Sequence, residues 1–121
     1  LMDPKIATCY VQFAKAALKA SDEQIKKLEN LYWFTVEYGL VYEDGDLKTW
    51  GAGNLSSYSD LLRCVDSAQV KHAEFDIDVM CDTEYDPTIQ QPLLFVAKSL
   101  HEALDDLGNY FKLEYDIEDL V

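Results

Sequence analysis

The sequence predicts an α+β fold that is mainly helical and carries one small β-hairpin. Apolar residues recur at helical spacing in several segments, each opened by a capping residue. One Asp-Gly dipeptide sits between two short β-prone runs, a hairpin signal. Glycine and proline together number only eight in 121 residues, so long irregular linkers are not expected.

Taken in order, Asp3 and Pro4 read as the N-cap and first position of a helix. Ile6, Tyr10, Phe13, Ala17 and Leu18 carry its apolar spacing to about Ala20. Ser21 and Gln24 form a capping box for a second helix, with Asp22 and Glu23 favourably placed in its first turn. Its apolar stripe is Ile25, Leu28, Tyr32, Thr35 and Val36, and Gly39 should end it. Leu40-Val41-Tyr42 and Leu47-Lys48-Thr49-Trp50 flank Glu43-Asp44-Gly45-Asp46 as the hairpin. Gly51-Ala52-Gly53 reads as a small-residue turn.

Ser57 and Asp60 offer a capping box for a helix through Leu61, Leu62 and Val65. Residues 67–73 read as a loop, 75–80 as a short element, and 81–91 as a long irregular connection containing Pro87. Pro92-Leu93-Leu94-Phe95-Val96 reads as a strand. Ser99 and Glu102 cap a last helix through Leu100, Leu104 and Leu107. Residues 112–121 form an acidic tail expected to be loosely held. No internal repeat or low-complexity segment divides the chain.

Hydrophobic residues make up 49% of the chain and charged residues 27%, enough for a real core and too apolar for disorder. The 23 acidic residues outweigh 10 basic ones, for a formal charge of −13. Such a surface repels phosphate backbones and anionic lipid, which argues against nucleic-acid and membrane-surface binding. Cys9, Cys64 and Cys81 are odd in number and widely spaced, as expected of reduced packing residues. No basic n-region precedes an apolar run at the N-terminus, and no apolar stretch approaches the roughly 20 residues that span a bilayer. The expectation is a cytoplasmic protein.

The most chemically loaded stretch runs from Leu31 to Leu40, with four aromatic residues and one carboxylate, Glu37, and no basic residue. A carboxylate at an apolar helix end needs a distant Lys or Arg, a proton or a metal unless water reaches it. A water-exposed or backbone-bonded carboxylate is the bland alternative. Only His72 and His101 could act as imidazole ligands, and both read as ordinary surface residues. No HxxxH, CxxC, P-loop, GxGxxG or GxSxG pattern occurs.

Three ordered segments carry a resemblance. Tyr32-Trp33-Phe34-Thr35-Val36-Glu37-Tyr38-Gly39-Leu40 closely resembles the signature of the pterin-dependent aromatic amino acid hydroxylases. Trp50-Gly51-Ala52-Gly53-Asn54-Leu55-Ser56-Ser57 is similar to that family's second motif, and Gln91-Pro92-Leu93-Leu94-Phe95-Val96-Ala97-Lys98-Ser99 to its third. Leu1-Met2-Asp3-Pro4 resembles the segment after the metal-binding histidines of bacterial phenylalanine hydroxylases. The resemblance spans residues 1–111, which would form part of the catalytic domain, with 112–121 as a tail.

The resemblance implies hydroxylation of an aromatic ring, phenylalanine to tyrosine, with Fe(II), O₂ and a tetrahydropterin. It implies Glu37 as the iron-binding carboxylate and Tyr32 as a residue beside iron and pterin. Trp33, Gly53, Ser56 and Tyr85 would shape the site for a small aromatic amino acid. Each also has a plain structural role available: core aromatics for Tyr32 and Trp33, a turn for Gly53, a cap for Ser56, a loop anchor for Tyr85. The family's two iron-binding histidines would fall just before Leu1 and its pterin segments further upstream. The long C-terminal helix of the animal enzymes has no counterpart, a bacterial feature. With one ligand of three, the chain alone is expected to bind iron and pterin weakly and to lack catalytic residues of its own. The alternative expectation is a freestanding relative acting as a non-catalytic binding module, a homo-oligomer formed through exposed apolar surface.

Overall fold

The computed structural model describes residues 4–50, the backbone of 56–57, and residues 71–84 and 93–118. The predicted caps at Ser21 and Ser99 and the hairpin hold. Helix α1 (Pro4–Lys19) presents Ile6, Cys9, Phe13 and Ala16 to the core. Helix α2 (Asp22–Tyr32) opens on the Ser21–Gln24 capping box, with both reciprocal hydrogen bonds formed. Strands β1 (Leu40–Glu43) and β2 (Asp46–Thr49) pair antiparallel around Asp44 and Gly45, which take φ of 53° and 81°. Positive φ at both central residues suits the twist of a two-residue hairpin, and glycine and aspartate tolerate it.

The sheet is larger than the hairpin. Five strands run in the order β3-β2-β1-β5-β4, where β3 is Ser56–Ser57, β4 is Lys71–Glu74 and β5 is Leu93–Ala97. β5 pairs in parallel with both β1 and β4, making the sheet mixed. Two expectations are corrected here. Ser57 lies in a strand, and Lys71–Glu74 is a strand where a loop was expected. The polar sequence Lys71-His72-Ala73-Glu74 hides β4, because an edge strand can leave its side chains to solvent. The expected helix through Leu61, Leu62 and Val65 lies outside the described residues, as do Asp3 and 85–92.

Helix α3 (Ile77–Asp82) is capped by Asp76, whose side chain accepts from the Val79 amide. Cys81 and Asp82 therefore belong to a helix rather than to the irregular connection. Helix α4 (Leu100–Tyr115) is capped by Ser99, and the Glu43 carboxylate also accepts from the Leu100 amide at 3.2 Å. The hairpin thus anchors the start of the last helix.

The tail is held more firmly than expected. α4 runs four residues past 111 and ends where Asp116 takes a φ of 53°. Tyr115 and Ile117 are buried. Lys19 Nζ donates to the carbonyls of Tyr115 and Asp116 at 3.0 and 3.3 Å. A lysine from α1 thus satisfies carbonyls that a helix end leaves without partners. Tyr115 and Ile117 are the apolar residues of this segment that dock, while Leu113 stays exposed.

The core lies where α1, α2 and α4 meet one face of the sheet. Phe13 stacks edge-on against Phe111, and Phe34 against Phe95, each pair with ring centroids 4.9 Å apart. Each contact of this kind adds about 0.5–1.5 kcal/mol beyond simple burial. α2 is tied to α3 by Asn30 Nδ2 donating to the Cys81 carbonyl at 2.9 Å. The exposed Lys27–Asp82 pair at 3.7 Å adds little, as solvent screens it.

Between α2 and β1 the helix widens. Trp33–Glu37 forms a π turn, where the periodicity predicts one continuous α-helix. The Tyr38 amide reaches back to the Trp33 carbonyl at 2.9 Å, and the Thr35 hydroxyl donates to the Leu31 carbonyl at 2.7 Å. Gly39 then passes so close that an added Cβ would lie 2.4 Å from the Thr35 carbonyl oxygen and 2.8 Å from that of Phe34. Both obstructions are backbone and cannot swing aside. Gly39→Ala is therefore expected to destabilise the fold by about 2–3 kcal/mol through overpacking. A urea melt checks this, and an unchanged midpoint would show that the turn can relax.

Candidate functional site

The π turn decides what faces outward. Phe34, Thr35 and Val36 are buried, while Tyr32, Trp33 and Glu37 turn to the other side. There they line an open groove of about 640 Å³ between α1 and α2. Tyr10, Phe13, Ala14 and Ala17 form the α1 wall, and Ile25, Leu28 and Glu29 the α2 wall. The small side chains at Ala14 and Ala17 leave the space that larger residues would fill.

Glu37 is exposed at the mouth of this groove. Water reaches its carboxylate, so the expected cost of a buried charge does not arise and no cationic neighbour is required. The residue is nonetheless surrounded on one side by aromatic rings. Trp33 packs on Tyr38 with centroids 4.4 Å apart, and Tyr32 lies against Tyr10 and Phe13 at 6.0 and 5.2 Å.

Burial pushes the Tyr32 phenol up to about 12, and hydrogen bonding to Tyr10 and the nearby Glu37 carboxylate push the same way. Tyr32 is thus held as a neutral hydrogen-bond donor across the physiological range. Cys9, beneath the same wall, is raised by burial to about 12. It is a packing thiol rather than a nucleophile.

The structure brings together three of the sequence-predicted site residues: Tyr32, Trp33 and Glu37. Gly53 and Tyr85 lie outside the described residues. Ser56 lies in β3, its backbone paired with Thr49, and its side chain is not among those described. His72 sits in β4 and His101 in α4, where it faces Asp105 at 3.2 Å one helical turn away. Neither lines the groove. The α1 wall, above all Tyr10 and Phe13, was missed as part of the site. Its signal was present as an amphipathic helix with small residues at Ala14 and Ala17, one turn apart.

Iron does not fit the described residues as a complete site. No group of three His, Cys, Asp or Glu side chains that could hold a metal ion occurs among them. Glu37 offers one oxygen donor set, and an open octahedral site needs more.

Both the sequence and the fold match a known class. The chain belongs to the biopterin-dependent aromatic amino acid hydroxylase family, whose model matches residues 1–117. In sequence it is 44% identical over 108 residues to a tyrosine 3-monooxygenase of Caenorhabditis briggsae, covering 89% of this chain and 21% of that protein. It is 42% identical over 105 residues to the human tyrosine 3-monooxygenase, covering 84% of this chain and 20% of the human protein.

In structure it matches the phenylalanine hydroxylase of Chromobacterium violaceum with bound oxidised Fe(III). The TM-score is 0.71 at 28% identity, covering 98% of this chain and 45% of that one. The phenylalanine hydroxylase of Legionella pneumophila matches at a TM-score of 0.70 and 28% identity, covering 98% of this chain and 52% of that one. The chain thus spans about a fifth of the curated relatives and about half of the solved ones. The bacterial, phenylalanine-specific likeness expected from the sequence is not carried by the curated relatives, since these are animal tyrosine 3-monooxygenases.

The raised groups give a pH prediction. Cys9 and Tyr32 sit near 12 in the fold against ordinary values of 9.0 and 10.0. Burial also raises Cys81, Tyr110 and Tyr115. Each group keeps its proton in the folded chain and loses it more readily when unfolded. Their contribution is complete below about pH 9 and lost as pH rises towards 12. Urea midpoints should hold level from about pH 7 to 8.5 and fall above that, less steeply in Cys9→Ala. Thiol-reactive labelling mapped by mass spectrometry should leave Cys9 and Cys81 unmodified in the native chain.

Proposed function

We propose that this chain supplies the aromatic wall and the carboxylate of a substrate site in an aromatic amino acid monooxygenase, and does not hydroxylate by itself. The observation that supports this most is the shared outward face of Tyr32, Trp33 and Glu37 at the π turn. In this reading the groove takes the ring of a phenylalanine or tyrosine between Trp33 and Tyr10. Apolar walls exclude water from one side of the ring, and the Tyr32 side chain forms part of that lining. Glu37 would be one of the oxygen ligands of iron(II), which with a tetrahydropterin supplies the oxygen-activating chemistry in such enzymes.

Family membership, together with the activities of the relatives, supports an aromatic amino acid as substrate. The two sets of relatives divide between tyrosine and phenylalanine, so the substrate class is carried further than the choice within it.

Purified chain, Fe(II), a tetrahydropterin and either amino acid should give no hydroxylated product by liquid chromatography; clear turnover overturns the inert reading. Calorimetric titration should show weak binding of phenylalanine or tyrosine, in the millimolar range or about −4 kcal/mol. Trp33→Ala should remove that heat. No heat with either amino acid in the unaltered chain would sink the substrate-site reading.

A further inference from the structure

A buried hydroxyl sits in the middle of the π turn. Thr35 is fully buried between the core residues Phe34 and Val36, and Tyr32, Trp33 and Glu37 flank that run in sequence. A hydroxyl taken out of water has to be hydrogen-bonded, whereas a valine of the same shape carries no such requirement. The threonine is therefore explained by what its oxygen holds.

Thr35 is bonded at both of its ends. Its hydroxyl donates to the Leu31 carbonyl, four residues back, at 2.7 Å and lies 3.5 Å from the Tyr32 carbonyl. A threonine hydroxyl that takes the carbonyl four residues back bends a helix away from regular bonding. The Thr35 carbonyl accepts the Gly39 amide at 2.7 Å and shares the Tyr38 amide with the Trp33 carbonyl. One residue thus ties the last turn of α2 to the start of the path towards β1.

The segments so tied carry Tyr32 and Glu37, five residues apart. In a regular α-helix that spacing sets two side chains about 140° apart around the axis. A π turn bonds each carbonyl to the fifth residue on and brings residues five apart towards one face. Tyr32 and Glu37 do line the same groove.

We propose that Thr35 is a positioning residue: its hydroxyl holds the turn in the π register and so keeps Tyr32 and Glu37 on one face. Without that donor the turn tightens to α-helical bonding and Glu37 swings away from Tyr32. The consequence for a ligand rests on the substrate reading proposed above; the consequence for the turn does not.

Nuclear magnetic resonance of the whole chain tests the turn without ligand, through scalar couplings across hydrogen bonds. In the unaltered chain the Tyr38 amide should couple to the Trp33 carbonyl. In Thr35→Val, which keeps the shape and removes the donor, that coupling should vanish and one to the Phe34 carbonyl should replace it. Thr35→Ser, which restores the donor, should keep the Trp33 coupling. Circular dichroism melts confirm that the variants fold, and Thr35→Ala supplies the donor-free comparison if Thr35→Val does not. A Trp33 coupling that survives loss of the hydroxyl overturns the proposal, as does its loss in Thr35→Ser.

Titration with phenylalanine, followed on the Trp33 indole N–H signal, tests the ligand. Affinity should fall on the order of tenfold in Thr35→Val, the scale of one lost hydrogen bond, and stay within about twofold in Thr35→Ser. Equal affinity in the unaltered chain and Thr35→Val overturns the positioning role. A register switch with no binding by the unaltered chain removes the substrate reading and leaves the hold of Thr35 on the turn standing.

Discussion

The widened turn at Trp33–Glu37 is the constraint on which the rest of the structure depends. A π turn gives up regular α-helical bonding, and such turns recur at functional sites where a side chain must be re-aimed. Here the loss is offset locally. The Thr35 hydroxyl bonds the Leu31 carbonyl, and Phe34 and Val36 enter the core. Gly39 lets the chain turn tightly over the Thr35 carbonyl, and its own carbonyl accepts from the Trp50 amide at 3.1 Å. The helix is thereby fastened to the hairpin, and the hairpin, through Glu43, to the start of α4. One local distortion thus sets both the outward face of the site and the path of the sheet.

The second organising feature is the uneven distribution of charge. An acidic surface keeps copies apart and carries no fold information, but its absence over α1 and α2 coincides with the apolar groove. The coincidence has a physical reason. Apolar walls leave little room for carboxylates, and Glu29 and Glu37 are the acidic residues among those that line the groove. Lysines tolerate the border because their stems lie along apolar surface while their heads reach water.

Much of this was legible in the residues, for a consistent reason: local signals read well and long-range ones do not. Ser21–Gln24, Asp44-Gly45 and Ser99–Glu102 act within a few residues, and each formed as its chemistry requires. β4 was illegible because Lys71-His72-Ala73-Glu74 has no strand periodicity; its pairing comes from β5, more than 20 residues away. The docked tail was missed because its hold comes from Lys19, 96 residues distant from Tyr115. The π turn was missed because Trp33–Glu37 also fits α-helical periodicity, and the distortion is dictated by the close passage of Gly39. In the site, the motif pointed to Tyr32, Trp33 and Glu37, while Tyr10 and Phe13 came from a helix read only as core.

The placement of Glu37 follows from these elements. Had α2 continued as a regular helix, a carboxylate two residues before the terminating glycine would have met the same packing as Phe34 and Val36. Burying it there would demand a partner charge that the neighbouring sequence does not contain. The π turn resolves the conflict by sending the apolar residues inward and the carboxylate to the mouth of an aromatic groove. What results is a solvated carboxylate with one apolar flank, held by a backbone that Gly39 and Thr35 fix in place. Water reaches it at the groove mouth, so it needs no structural counterion. The distortion thus sets where the carboxylate stands relative to the aromatic walls of the groove.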